Sequence, residues 1–438
     1  MDFSKSRAMQ EKAHELIPGG AHTYARGSDQ YPELSPGFML RGSGCRSVDL
    51  DGNEFVEYGM GLRAVTLGHA FPSVTEAVCA VVQSGTSFVR PHVDEVETAE
   101  TLLSFLGKGP DYQVKFAKNG SDVTTAAIKL ARAHTGRDLI GICGDHPFFS
   151  SDDWFISTTP LSAGIPDSTR ALAVEFPFND LGAFDRILER HGQELAAIIL
   201  ELEADTPAEP GFLEGIAERC RRFGIVFIAD EIINAFRLAN GGAQELYSIQ
   251  PHLSTFAKGL GNGVPISALV GRRELMELGG LRTDRDRVFL LSSTYGGDRI
   301  GLAAARAVLK TYSTEPVIEH LWSYGQRLRD GFVDMVSAAG LGEFVGLAGR
   351  PSNLLFWTKD RTGERSQPYR TLFMQELIAR GVLGPSFVDS YAHDDSALDQ
   401  TLEAVRGALG VYSQAIDAGT TDGLLVGPPT KPAFRRRV

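Results

Sequence analysis

"IVFIADEIINAF", residues 225–236, opens on a short apolar run and then meets two carboxylates, Asp230 and Glu231. A run of that length and character reads as a strand of a parallel sheet covered on both faces. A carboxylate at its end poses a question, because an ionised acid taken out of water is costly unless a cation meets it. The chain or a ligand has to supply that cation. Working outward, the same texture repeats from about residue 76 to 315. Apolar segments "QVKFA", "LIGIC", "AAIILE", "STFAK" and "ALVG" alternate with the amphipathic patterns "TTAAIKLARAH" and "GFLEGIAERCRRF". Strand–helix alternation of this kind implies βαβ units and a mainly parallel sheet.

Either side of that block the pattern changes. Residues 1–75 combine a short helix with "FMLRGSGCRSVDLDGNEFVEY", whose turns at Gly42-Ser43-Gly44 and Asp51-Gly52-Asn53 suit a small antiparallel sheet. Residues 316–438 carry the helical patterns "VIEHLWSYGQRLRDGFVDMV", "YRTLFMQELIARG" and "ALDQTLEAVRGAL" around a strand-like "NLLFWT". The expectation is an α/β protein with a large domain over 76–315 and a smaller α+β domain built from both ends of the chain. The 438 residues suffice for two or three domains. A net charge of -12 argues against nucleic-acid or anionic-membrane surfaces as partners. Four scattered cysteines without a CxxC pair signal neither a zinc site nor a disulfide framework. The start has no apolar core of a secretory signal, and no run of about 18 apolar residues occurs. A cytoplasmic location is expected.

In open α/β sheets, ligands bind beyond the carboxyl ends of the strands, so the residues following each strand matter most. After "QVKFA", the turn Asn119-Gly120-Ser121 leads into a helix whose free N–H groups suit a phosphate; an ordinary helix cap is the plain alternative. Glu201 follows "AAIIL" and Asp230 follows "IVFIA", which aims two acids at one rim, where a structural salt bridge would also account for them. Lys258 ends "STFA" and enters the glycine-rich "GLGNGVP". A phosphate ligand, an ion-pair partner and a nucleophile are all open roles for it, though the GxxxxGK[ST] loop is absent. Lysine, acid and phosphate turn on one rim are the set that pyridoxal phosphate needs. Asp230 would then meet the protonated pyridine nitrogen.

These residues carry a family resemblance. "PGGAHTYAR", "VDLDGNEFVEY", "LGHAFPSV", "NGSDVTTAAIKLARAHTGRD", "AFRLANGGAQELY", "FAKGLGNGVPISALVG" and "STYGGDRIGLAAA" resemble the class III (subgroup II) pyridoxal-phosphate aminotransferases, glutamate-1-semialdehyde aminomutase-like branch. The resemblance spans nearly the whole chain and is most specific from Asp230 to Gly271. It implies fold-type I, pyridoxal 5'-phosphate as cofactor, no metal, and a homodimer with active sites at the interface. Lys258 matches the Schiff-base lysine and Asp230 the pyridinium partner. Ile232 matches an aliphatic residue against one ring face, and Gly120 and Ser121 match the phosphate turn. Thr294 matches a threonine reaching the phosphate from the neighbouring subunit. Glu201 matches the acid of a strand-end "EP" pair, with Leu202 here in place of proline.

Three departures bear on substrate. Where the family stacks an aromatic residue over the ring, this chain has "GDHPFFSSDDWF", offering His146 and Phe148. Where the aminomutase has a tryptophan in "SWGP", this chain has "GMGLRAV", with Leu62 and Arg63 at that place. Arg26 matches the arginine that grips a substrate carboxylate. Keeping Arg26 without the tryptophan points to a glutamate-type amino donor and a different carbonyl acceptor. The C-terminal "VLGPSFVDSYAHDD" and "GLLVGPPTKPAF" stretches resemble relatives that aminate sugars or cyclitols for polysaccharide or aminoglycoside assembly. Amino transfer from L-glutamate to such an aldehyde or ketone is therefore the expected reaction. The aminomutase reaction stands as the alternative, and an epimerase or decarboxylase on the same scaffold remains open. The terminal Arg435–Arg437 read as a solvated end or a contact tail.

Overall fold

In the computed structural model, residues 1–146 and 148–433 are described; Arg435–Arg437 lie outside them. The chain divides into two compact units, one of residues 1–71 with 319–433, the other Pro72–Ile318. Helix α1 (Ser4–Leu16) leads into β1 (Met39–Ser43), β2 (Arg46–Asp49) and β3 (Glu54–Glu57), an antiparallel meander. The polar turns at 44 and 51–53 sit between its strands as the alternating pattern predicts.

The second unit begins with α2 (Pro72–Ser84) and α3 (Val93–Phe105). Strand β4 (Tyr112–Ala117) follows, then α4 (Gly120–Thr135) and β5 (Leu139–Cys143). Next come β6 (Ala173–Phe176), α5 (Leu181–His191), β7 (Leu195–Leu200), α6 (Phe212–Phe223) and β8 (Val226–Asp230). Strands β9 (Leu253–Phe256) and β10 (Ser267–Arg272) and helix α7 (Arg299–Thr314) complete it. The seven strands form one sheet in the order β4-β10-β9-β8-β7-β5-β6. Strand β6 escapes the sequence reading, because "AVEF" is short and only its last residue is buried. Strand β10 pairs antiparallel with both β9 and β4, which makes the sheet mixed. Only the short 257–266 connection separates β9 from β10, too little chain for the crossover that a parallel pair requires.

The chain then enters α8 (Val317–Ala338), the hairpin β11 (Val345–Ala348) and β12 (Leu355–Thr358), helix α9 (Gln367–Ala379), β13 (Val382–Leu383) and α10 (Asp395–Ala418). Strand β13 adds parallel to β3, so the two ends of the chain share a sheet and a core. That core interleaves Phe332, Phe356, Phe373 and Phe387 with Tyr58 and Tyr412.

Every residue of β5, β7, β8 and β9 is buried, as expected of strands covered on both faces. Ile228, at 0% exposure in the middle of β8, is a direct check of that packing. Ile228→Ala is expected to cost about 2–5 kcal/mol, read as a lower urea midpoint with an unchanged slope.

Candidate active site

Parallel pairing sets the candidate residues abreast. Leu200 pairs with Ala229 and Asp230 with Thr255, so the ends of β7, β8 and β9 present Glu201, Asp230 and Thr255 along one rim. Asp230 is 3% exposed. Its Oδ1 accepts hydrogen bonds from the Ile232 backbone N–H (3.0 Å) and the Thr255 hydroxyl (3.1 Å). Burial nevertheless pushes its carboxyl up to about 6, against these bonds and the attraction of the Lys258 ammonium. Sequence reasoning missed Thr255; the signal was its place in register beside Asp230, three residues before Lys258.

Glu231 answers the same question differently. Its two oxygens accept the backbone N–H groups of Ala243 (2.9 Å) and Gln244 (2.6 Å). Burial still raises it to about 8. Successive strand residues face opposite ways, so one acid is absorbed by backbone donors while its neighbour stays on the rim.

The phosphate turn lies against the same place. Asn119 caps α4 reciprocally with Asp122: the Asp122 N–H donates to Asn119 Oδ1 (3.1 Å) and the Asn119 N–H to Asp122 Oδ2 (3.1 Å). A Cβ on Gly120 would sit 2.7 Å from Ile232 Cδ1, so the bare glycine lets the helix start lie against the Ile232 side chain in its present position. The Ser121 hydroxyl oxygen accepts the Ser151 N–H at 2.9 Å. Lys258 holds a left-handed backbone with φ 44°, a conformation a lysine adopts only when its surroundings impose it.

His146 and Phe148 part company. His146 is 4% exposed and accepts the Glu201 N–H on Nδ1 at 3.1 Å. A backbone N–H only donates, so the imidazole proton sits on Nε2. That nitrogen is buried without a hydrogen-bond partner among the described residues. Burial lowers the ring to about 4, which keeps it neutral near pH 7. Phe148 is 44% exposed, edge-on to Phe155.

Thr294 lies elsewhere, in a cleft of about 390 Å³ lined also by Phe88, His92 and Arg299 and by none of Lys258, Asp230 or Gly120. The other unit holds the remaining candidates. Arg26 and Leu62 line a cavity of about 640 Å³ together with Tyr31 and Glu57. Arg63 is not among its lining residues, and its Nε donates to Asn353 Oδ1 at 3.1 Å. Met60, Gly61, Leu62 and Arg63 all have φ between 41° and 69°. Four consecutive left-handed residues cost on the order of 1–2 kcal/mol for each non-glycine member, and nothing but Gly61 signals this in the sequence.

The family model described as aminotransferase class-III matches residues 26–343. The chain belongs to the class III aminotransferases. Among its relatives is the glutamate-1-semialdehyde 2,1-aminomutase of Myxococcus xanthus, 32% identical over 84% of this chain and 86% of that one. The protein of the same name from Desulforudis audaxviator is 32% identical over 93% and 98%. A solved transaminase with pyridoxal phosphate bound superposes with a TM-score of 0.85 at 26% identity, covering 96% of this chain and 99% of that one. The protein is accordingly a pyridoxal-phosphate-dependent aminotransferase of the fold-type I architecture. Its residues fit the cofactor: a buried carboxylate whose desolvation a ring cation would offset, an unpartnered imidazole N–H, and a glycine-bared helix start. Among the described residues no group of three His, Cys, Asp or Glu side chains could hold a metal ion, and no helix is long and apolar enough to cross a membrane.

The raised Glu231 carboxyl predicts a pH signature in the cofactor-free protein. Between the ordinary glutamate range and about pH 8 the folded state retains a proton that the unfolded chain has released. Stability therefore falls as pH rises across that window and levels off above it. Glu231→Gln should flatten the fall, as measured by urea unfolding at a series of pH values.

Proposed function

We propose that Lys258, Asp230, Gly120 and Ser121 form the centre at which this aminotransferase moves an amino group. Bound pyridoxal phosphate supplies an electron sink that acidifies the C–H bond beside the substrate nitrogen. The observation that carries the assignment is Asp230, buried at a strand end with too little positive charge around it. Its carboxylate would hold the proton on the ring nitrogen, and that charge would draw its own pKa down again. Lys258 would anchor the cofactor through Nζ. When a substrate amine takes its place, the freed Lys258 amine would take the proton from the substrate carbon as general base and return it as general acid later in the transfer. The α4 start would take the phosphate, Ile232 would pack on one ring face, and buried His146, rather than exposed Phe148, would cover the other.

Arg26 would bind the carboxylate of the amino donor, L-glutamate in our reading, with Leu62 beside it. A homodimer is part of this proposal. Its support is the exposed apolar set Phe88, Val89, Phe289 and Tyr295: the first two line the same cleft as Thr294 and the last two lie close to it in sequence, and Thr294 would reach a partner's phosphate.

Two forms of amino transfer fit. The curated relatives favour the exchange of an amino group within one amino aldehyde, since that is the reaction in their names. Transfer from glutamate to a separate sugar- or cyclitol-type aldehyde or ketone is favoured by one observation in this chain, the strained Leu62–Arg63 turn in place of an aromatic residue.

Purified enzyme incubated with glutamate-1-semialdehyde alone decides between them. Formation of 5-aminolevulinate without an added donor identifies the aminomutase. A requirement for L-glutamate, with release of 2-oxoglutarate, identifies the intermolecular enzyme. In both forms Lys258→Ala is expected to lose the visible absorbance of the bound cofactor and to lower turnover by at least about 10²–10⁴-fold. Asp230→Ala should depress turnover far more than cofactor affinity; equal losses would count against its role.

A further inference from the structure

Two segments of the candidate site and the segment that carries Thr294 meet at one side chain outside it. Lys118 follows β4 directly and precedes the Asn119–Ser121 turn. Its backbone N–H donates to Asp122 Oδ2 at 3.2 Å, so its main chain belongs to the cap of α4. Its ammonium reaches across to the Asp298 carboxylate. Asp298 is the N-cap of α7, with Oδ1 accepting the N–H groups of Ile300 (3.1 Å) and Gly301 (3.4 Å). The four residues before it are Thr294–Gly297. A Cβ on Gly301 would lie 3.0 Å from the Pro265 carbonyl oxygen and 3.4 Å from Lys118 Nζ. Pro265 ends the glycine-rich loop that starts at Lys258, so this glycine lets that loop's backbone lie close to the start of α7, with the lysine ammonium alongside.

We infer that the Lys118–Asp298 ion pair is a positioning element for cofactor phosphate binding, setting the α4 start against the Lys258–Pro265 loop and the Thr294–Asp298 segment. This rests on the proposed role of the Gly120–Ser121 turn. The pair is 30% and 11% exposed at its two side chains, which screens it less than a surface pair. Being neutral in sum, it adds no net charge to a phosphate site; it acts by fixing distances. That separates it from the simpler idea that Lys118 is itself a phosphate ligand. If Lys118 were a direct ligand, removing the charge of Asp298 would release its ammonium and tighten phosphate binding. If the pair positions the loops, the same change weakens it.

The test uses full-length protein freed of cofactor, with pyridoxal phosphate and pyridoxal as paired probes in equilibrium dialysis. Wild-type protein should prefer the phosphorylated probe. Lys118→Met and Asp298→Asn should each reduce that preference by roughly 10- to 100-fold, the scale of one lost charge-assisted contact. Pyridoxal affinity should stay at its wild-type value, and Lys118→Arg should restore most of the preference. Asparagine still caps a helix, so Asp298→Asn decides the matter even if Lys118→Met folds poorly. A tighter grip on pyridoxal phosphate in Asp298→Asn, an unchanged preference, or an equal loss of both probes overturns the inference. A wild-type protein that binds both probes alike overturns the phosphate-turn reading beneath it.

Discussion

A carboxylate held out of water at the end of a fully buried strand is the constraint around which this structure is organised. Strand β8 is apolar because both faces of the central sheet are covered, and Asp230 continues that strand. Two hydrogen bonds and the Lys258 charge do not offset its desolvation, and its carboxyl stays near 6. Such a group is a cost to the empty protein and an asset to a complex with a cation. The neighbouring strands serve it: β9 supplies Thr255 as a donor, and the segment after β9 turns back through a strained Lys258. On the α4 side, Gly120 is bare so that the helix start can press on Ile232.

The contrast with Glu231 shows how local geometry sorts chemistry. Two adjacent acids leave the same strand, both buried and both raised. One has both oxygens taken up by the N–H groups of Ala243 and Gln244. The other keeps one side toward the rim. His146 repeats the logic with opposite polarity: its Nδ1 is consumed by the Glu201 backbone, which fixes a lone N–H donor on the far nitrogen. Both rim groups are therefore defined by what the backbone has already taken from them.

In the proposed assignment, reaction class and specificity would draw on different parts of the chain. The lysine, the acid and the phosphate turn lie in the Pro72–Ile318 unit and are sufficient to specify the cofactor. Arg26 and Leu62 lie in the other unit and share a cavity with Tyr31 and Glu57. Burial works to raise Glu57, but the hydrogen bond and charge of His69 hold it below the usual glutamate range. On the proposed reading, aldehydes and ketones would be told apart there, beside the strained Gly61–Leu62 backbone, while the proton-transfer groups would be common to many acceptors.

The sequence by itself determined most strands of the central sheet and the rim on which they end. Near-continuous apolar runs bounded by Asp230, Glu201 and Lys258 are local patterns, and burial on two faces leaves little freedom in how they read. It determined the cofactor class as well, because a lysine, an acid and a glycine-opened helix start rarely coincide on one rim by accident. Tertiary structure alone decided the antiparallel insertion of β10, the separate fates of Asp230 and Glu231, and the parting of Arg63 from Arg26 and Leu62. It also decided the Thr255 contact and the Lys118–Asp298 pair, whose partners stand 25 and 180 residues apart. The physical reason is common to all of these. Periodicity records which face of an element is buried, whereas hydrogen-bond and charge partners depend on which strand lies alongside, and that is settled only when the sheet closes.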